Sequence, residues 1–446
     1  MRKRSHPHIY SAVRYELRST TVWRTRLVVL SFAALAGFAV VGLAWLAELA
    51  LAWFFAMQQR WGWFALGWTP LCTGLIVWAT RRWAVGAAGS GIPQVMAAQE
   101  VDDEQGRSLF VSLRLSVAKV LLTAWGLLAG LSLGREGPSV QVAAGIMHAA
   151  RRWLPRRSRI TAQHLLVAGG AAGIAAAFNT PLGGIMFALE ELGRHSDSKH
   201  HALSMAAIVL AGLIGVSVYG NASYFGVIHV QHWRWDAVAP ALVVTLVAGV
   251  LGGIFSRLLV VSLAAGAPLG RVLQWRAAHP VAFAALCGLA VAVIGVVTQG
   301  ATFGSGYAYT KAALDGAGQS HWLYVPLKFV STWLTAWSGV PGGIFAPSLA
   351  IGGAVGHDVA HYWAVYGVYV DAPTLIALGM VGFLAAATQA PLTAFIIVME
   401  MVDGHALVLS LMACAMVASG ISRLISAPLY PSLADAQLLR WTPSKP

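Results

Sequence analysis

Long runs without a charged residue alternate along this chain with short polar interruptions. Leu27–Ala47 and Val238–Phe255 are continuously apolar, whereas a membrane β-barrel would show segments of alternating polarity. The pattern predicts membrane helices in Leu27–Met57 (with Glu48 inside it), Phe64–Ala79, Leu115–Leu133, Leu165–Glu191 and Leu203–Tyr219. It predicts more in Val238–Phe255, Val281–Val297, Leu323–Trp337, Thr374–Met401 and Leu407–Ile425. Leu27–Met57 exceeds what a perpendicular span requires, so a tilted helix is expected there. Between the spans, Glu100–Arg107 reads as a charged loop, Arg151–Arg159 as a basic loop and Gly193–His201 as a solvated loop. Ser426–Pro446 reads as a short tail.

Composition agrees with an all-α polytopic membrane protein. The chain is 58% hydrophobic and only 11% charged, with a mean hydropathy of +0.68. Forty-seven glycines would weaken soluble helices, but in lipid they permit close packing and broken helices. The formal charge of +13 could suggest nucleic acid, yet Arg2, Lys3, Arg4, Arg14, Arg18, Arg24 and Arg26 all precede the first span. That distribution places the N-terminus in the cytoplasm and argues against nucleic acid as a partner. The first apolar run is too long for the core of a signal peptide. Cys72, Cys287 and Cys414 each sit in an apolar run and read as packing residues, without metal or disulfide spacing. His195, His200 and His201 lack the carboxylate–histidine spacing of a metal site. No metal, cofactor or enzymatic constellation is expected, and no soluble regulatory domain.

Three interruptions carry the candidate chemistry: Gly89-Ser90-Gly91-Ile92-Pro93, Gly134-Arg135-Glu136-Gly137-Pro138 and Gly342-Gly343-Ile344-Phe345-Ala346-Pro347. In each, proline suits the first turn of a helix and glycine allows a close or strained backbone before it. Helices that begin inside the membrane point free N–H groups and a positive dipole end at something, and an anion is the natural ligand. Arg135 and Glu136 are costly at that depth, so they need water, an ion or each other. A further break falls at Asn179-Thr180-Pro181.

The chain also echoes itself. Ala175-Ala176-Ala177, Pro181-Leu182 and Glu190 recur 210 residues later as Ala385-Ala386-Ala387, Pro391-Leu392 and Glu400. Pro138 and Pro347, like Lys119 and Lys328, are 209 apart, and Gly89-Ser90-Gly91 returns as Gly304-Ser305-Gly306 at 215. Two halves with broken helices at matching places are the pattern of an inverted-repeat transporter, with its binding site near the bilayer midplane.

These three interruptions resemble the filter signatures of the CLC chloride channel/transporter family, in the family's order. Ala168–Glu191 is similar to the helix pair that follows the second signature, and Tyr430 in Ala427-Pro428-Leu429-Tyr430 falls at the family's filter tyrosine. The resemblance runs from about the first span to Tyr430. It implies a CLC fold of two inverted repeats, with a cytoplasmic segment 1–26, repeats 27–220 and 238–430, and a cytoplasmic tail 431–446. It also implies a homodimer in the bilayer with one anion pathway per subunit, in a bacterial inner membrane and with both termini cytoplasmic.

By the same resemblance, Ser90 and Tyr430 offer hydroxyls to a central anion and the backbone N–H groups of Ile344 and Phe345 complete its shell. Gly89, Gly91, Ile92, Pro93, Gly134, Gly137, Pro138, Gly342, Gly343, Ala346 and Pro347 complete the filter, with Arg135 lending longer-range potential. Glu136 is the outer gate: ionised, its carboxylate takes the place of chloride; protonated, it swings out. Glu191 stands where exchangers of the family carry an inner proton-transfer glutamate and channels carry a non-ionisable residue. Ser90 with Tyr430 points to chloride rather than nitrate or fluoride. The expected function is proton-coupled chloride antiport, with a passive chloride channel of the same fold as the alternative. Gln94 and Met96 depart from the family's acidic residues, which leaves Lys119 without an expected carboxylate, and the Glu100–Arg107 loop is longer than is typical.

Overall fold

The computed structural model describes residues 19–193, 201–220, 223–228, 237–264, 270–318, 322–367 and 371–441. Most of the N-terminal segment 1–26, with His195, His200 and the last five residues, lies outside them. The architecture is helical throughout, and the described residues contain no strand. α1 (Thr20–Arg60), α2 (Phe64–Trp83), α3 (Ile92–Glu100), α4 (Glu104–Phe110) and α5 (Leu113–Leu128) lead to the second signature. α6 (Glu136–Ala149), α7 (Ala162–Phe178), α8 (Pro181–Phe187) and α9 (His201–Tyr219) complete the first half. The second half comprises α10 (Val238–Leu263), α11 (Gly270–Ala278), α12 (Pro280–Val297), α13 (Tyr307–Leu314) and α14 (Tyr324–Ser338). It continues with α15 (Phe345–Val365), α16 (Ala372–Thr388), α17 (Pro391–Met401) and α18 (Val408–Ile425), and α19 (Leu429–Trp441) closes the chain.

Among the described residues, six helical segments are long and apolar enough to cross a membrane. At 41 residues, α1 extends about 60 Å at the usual helical rise, about twice a hydrocarbon core. The long apolar stretches Leu165–Glu191 and Thr374–Met401 are each broken in two. Asn179 and Gln389 both adopt φ of 59°, a left-handed cap that ends one helix just before the proline that opens the next. The echo in sequence is therefore an echo in backbone conformation.

The same symmetry governs packing. Lys119 Nζ donates to the carbonyls of Ala87 (2.8 Å) and Gly89 (2.6 Å). Lys328 Nζ donates to Thr302 (2.9 Å) and Gly304 (2.7 Å) in the second half. Helices within each half approach backbone to backbone: a Cβ on Gly173 would lie 2.5 Å from the Ser139 carbonyl, and one on Gly356 would lie 2.1 Å from that of Leu375. Only hydrogen fits there, which is how small residues hold helices together where lipid offers no hydrophobic drive.

Two segments differ from expectation. The charged stretch Glu100–Arg107 is not all loop: Asp103 Oδ2 accepts from the Gly106 N–H at 2.6 Å and starts α4. Glu104 then meets His148 Nε2 at 3.1 Å and pairs with Arg151, tying α4 to the end of α6. The final segment, expected as a short tail, is largely helical. α19 runs to Trp441 and packs against α3, which brings Tyr430 into the interior.

Candidate anion site

The three interruptions converge. Gly134 and Gly343, one from each half, exchange both backbone hydrogen bonds at 2.8 and 2.7 Å. The Gly342 N–H donates to the Gly89 carbonyl at 3.1 Å, the oxygen that also receives Lys119. Ser132 and Thr332 hydroxyls meet 2.8 Å apart just outside this junction. Glycine is required here by proximity. A Cβ on Gly137 would lie 2.4 Å from Ser90 Oγ, and one on Gly91 2.5 Å from the Gly137 carbonyl. Gly91 also holds φ at +112° as it caps α3.

Three helix starts therefore face one small region. α3 begins at Ile92 with Pro93 in its first turn, α6 at Glu136 and α15 at Phe345 behind Ile344. First-turn N–H groups have no partner within their own helix. Ser90 Oγ and the Tyr430 hydroxyl lie side by side, both enclosed, and neither has a hydrogen-bond partner beyond the other. Tyr430 is fully buried, and its ring stacks on Phe345 with centroids 6.2 Å apart and planes 15° from parallel. Phe178 and Phe187 surround Phe345 at 6.3 and 6.4 Å. Two orphaned hydroxyls in an aromatic cage beside helix N-termini form donors that suit a small anion.

Glu136 is 1% exposed. The backbone N–H groups of Arg135, Glu136 and Ala346 face its carboxylate, so it leans on the start of α15. Oε2 makes no hydrogen bond and lies so close to Gly134 that a Cβ there would be 2.2 Å away. Arg135 is not its direct partner. The guanidinium instead donates to Glu48 Oε1 at 2.8 Å and to the Ala44 carbonyl at 2.9 Å, both on α1. The sequence marked Glu48 only as an interruption of a span; its partner lies 87 positions away and no local pattern reveals it. A cleft of about 420 Å³ leads from the exterior to this point, lined among others by Glu48, Arg135, Glu136, Asn179, Tyr219 and Tyr307.

The neighbouring glutamates 190 and 191 have different surroundings. Glu190 reaches into the other half and accepts the N–H groups of Leu392 (3.1 Å) and Thr393 (2.7 Å) at the start of α17. Glu400 returns the contact, accepting Leu182 (3.1 Å) and Gly183 (2.7 Å) at the start of α8. This reciprocal capping was hidden in the sequence, where the pair showed only as a repeat. Glu191 is 2% exposed in a single π-helical turn, Ala188–Leu192. Gln94 Nε2 donates to the Ala88 carbonyl, so amide and lysine together hold the loop that carries Ser90. Lys119 is thus paired with carbonyls rather than with a carboxylate. Cys72, Cys287 and Cys414 are buried and unpaired. The described residues contain no cluster of three metal-ligating side chains.

Comparison with known proteins follows this geometry. Residues 72–423 match the family model described as voltage gated chloride channel. The chain is 30% identical over 379 residues to the H(+)/Cl(-) exchange transporter ClcA of Yersinia pestis bv. Antiqua (strain Angola), across 80% of this chain and 75% of that protein. ClcA of Yersinia pseudotuberculosis serotype O:3 (strain YPIII) matches to the same extent. Among solved structures, a slow cyanobacterial Cl-/H+ antiporter superimposes with a TM-score of 0.79 at 24% identity, over 94% of this chain and 99% of that one. A CLC-type fluoride/proton antiporter gives 0.75 at 23%, over 93% and 99%. These structural likenesses speak for the fold.

Proposed function

Because the chain belongs to the voltage-gated chloride channel (CLC) family, we propose that it is an integral membrane antiporter exchanging chloride for protons. The observation that carries the proposal is Glu136: a buried carboxylate resting on helix N-termini where a halide would rest. Ser90, Tyr430 and the N–H groups of Ile344 and Phe345 hold the central chloride without a full positive charge, so binding stays weak enough for release. The remaining filter residues, Gly89, Gly91, Ile92, Pro93, Gly134, Gly137, Pro138, Gly342, Gly343, Ala346 and Pro347, fix the junction that aims those donors. An ionised Glu136 occupies the outer position. Protonation removes its affinity for the N–H groups and frees the position for chloride, which makes the two ions compete. Glu191 passes protons between the cytoplasm and the gate past Tyr430. A passive channel would need no buried carboxylate at that inner position.

The repeats span about 27–220 and 238–430, with α19 closing the site from beyond the second. Arg24, Arg26, Arg81, Arg82, Arg151, Arg152, Arg156, Arg157 and Arg159 favour the cytoplasmic side for the N-terminus of α1. The cleft to Glu136 then opens on the opposite face. A bacterial inner membrane and a homodimer with one complete pathway per subunit complete the reading; each filter residue comes from a single chain.

The test is chloride and pH recorded together in proteoliposomes. A chloride gradient should drive protons uphill, Glu136→Gln should move chloride without protons, and Glu191→Ala should do the same. Wild-type chloride flux with no proton movement would make the protein a channel and end the antiport reading.

A further inference from the structure

The cleft that reaches Glu136 is lined by three charged side chains, Glu48, Arg135 and Glu136. With the carboxylates ionised they sum to a net negative charge, an odd lining for a route that admits anions. The two members of the ion pair are also unequal. Arg135 is 11% exposed and fixed by its second bond to the Ala44 carbonyl, whereas Glu48 is 59% exposed and held by the pair alone. One charge is anchored to the filter junction, the other is free to turn into water. A carboxylate within a membrane helix is costly, and Arg135 has a backbone partner without it.

We propose that Glu48 is a built-in competitor for Arg135 that weakens the hold of the outer cleft on incoming chloride. The inference rests on the anion-transport reading above. While Glu48 is paired, the cleft presents a dipole whose field falls off steeply. When Glu48 turns away or is neutralised, Arg135 presents a full positive charge one residue from the gate, and chloride concentrates there. Weak admission keeps the ion from lodging at the mouth, the condition for rapid passage. Glu48 is a positioning residue: it acts through Arg135 and needs no contact with the transported ion.

Glu48→Gln keeps the size and one acceptor oxygen but removes the charge. In vesicles, with chloride varied on the cleft side, it should lower the KM for chloride roughly threefold to tenfold, as a single charge in a focusing cleft does, while the protons moved per chloride stay as in wild type. Impermeant salt should erase most of the difference, and Glu48→Asp should restore a KM near wild type. An unchanged KM in Glu48→Gln would overturn the proposal. So would a KM shift insensitive to salt, or equal defects in Gln and Asp, either of which marks a packing role. Wild-type vesicles that move chloride without protons would overturn the antiport reading instead, and leave the KM comparison intact.

Discussion

Ser90 and Tyr430 carry the proposed anion site with very little chemistry. Each has one buried hydroxyl with no hydrogen-bond partner beyond the other, and in the proposed function chloride is the ligand of both. Hydrogen bonds to charged groups contribute about 1.5–3 kcal/mol, so Tyr430→Phe should weaken chloride binding roughly tenfold in calorimetric titration; unchanged affinity would remove the phenol from the site. Gly134 carries a related constraint. Because a Cβ there would meet Glu136 Oε2 at 2.2 Å, Gly134→Ala should push the carboxylate off its seat and raise chloride flux relative to proton flux. At this level the sequence was informative because glycine and proline punctuate the site. The structure brings the three Gly–Pro interruptions together, with Gly134 bonded to Gly343 and Gly342 to Gly89. Glu48 escaped notice as a partner of Arg135 because an ion pair across 87 residues leaves no local trace.

Among the helices, the reciprocal caps matter most. Glu190 and Glu400 each satisfy two N–H groups at a helix start in the opposite half, at matching distances. Losing such a cap costs about 1 kcal/mol. Glu190→Ala and Glu400→Ala should therefore lower the unfolding temperature in detergent by similar amounts, and a large difference between them would show that the two contacts are not equivalent. The helix break at Pro181 was legible because asparagine before proline has a local signature, whereas that at Pro391 showed only as its echo in the repeat. α4 was less so: its charges read as loop, and the cap by Asp103 emerges only in the structure. The last helix was missed for a different reason. It packs against α3 and α10, long-range contacts that composition alone does not report.

For the molecule as a whole, two halves meet at a hydrogen-bonded pair of glycines, Gly134 and Gly343, so neither half holds the site alone. Every donor of the proposed filter nonetheless comes from one chain. If the protein is a homodimer, subunits should then transport independently. Mixed dimers of wild type with Glu136→Gln should retain about half the coupled proton flux of wild type, read in vesicles after tandem linkage; complete loss would mean that the pathways are shared. The repeat itself was plain in the preserved offsets of 209 to 215 residues, because equivalent breaks need equivalent residues.

Whether carboxylate and halide share one seat can be seen by anomalous diffraction from crystals soaked in bromide. Wild-type protein with Glu136 ionised should show bromide beside Ser90 and Tyr430 but none against the Ala346 N–H. Glu136→Gln should add a second bromide there, in the place the carboxylate held. Identical bromide positions in the two proteins, or no bromide near Tyr430 in either, would contradict the competition on which coupling depends.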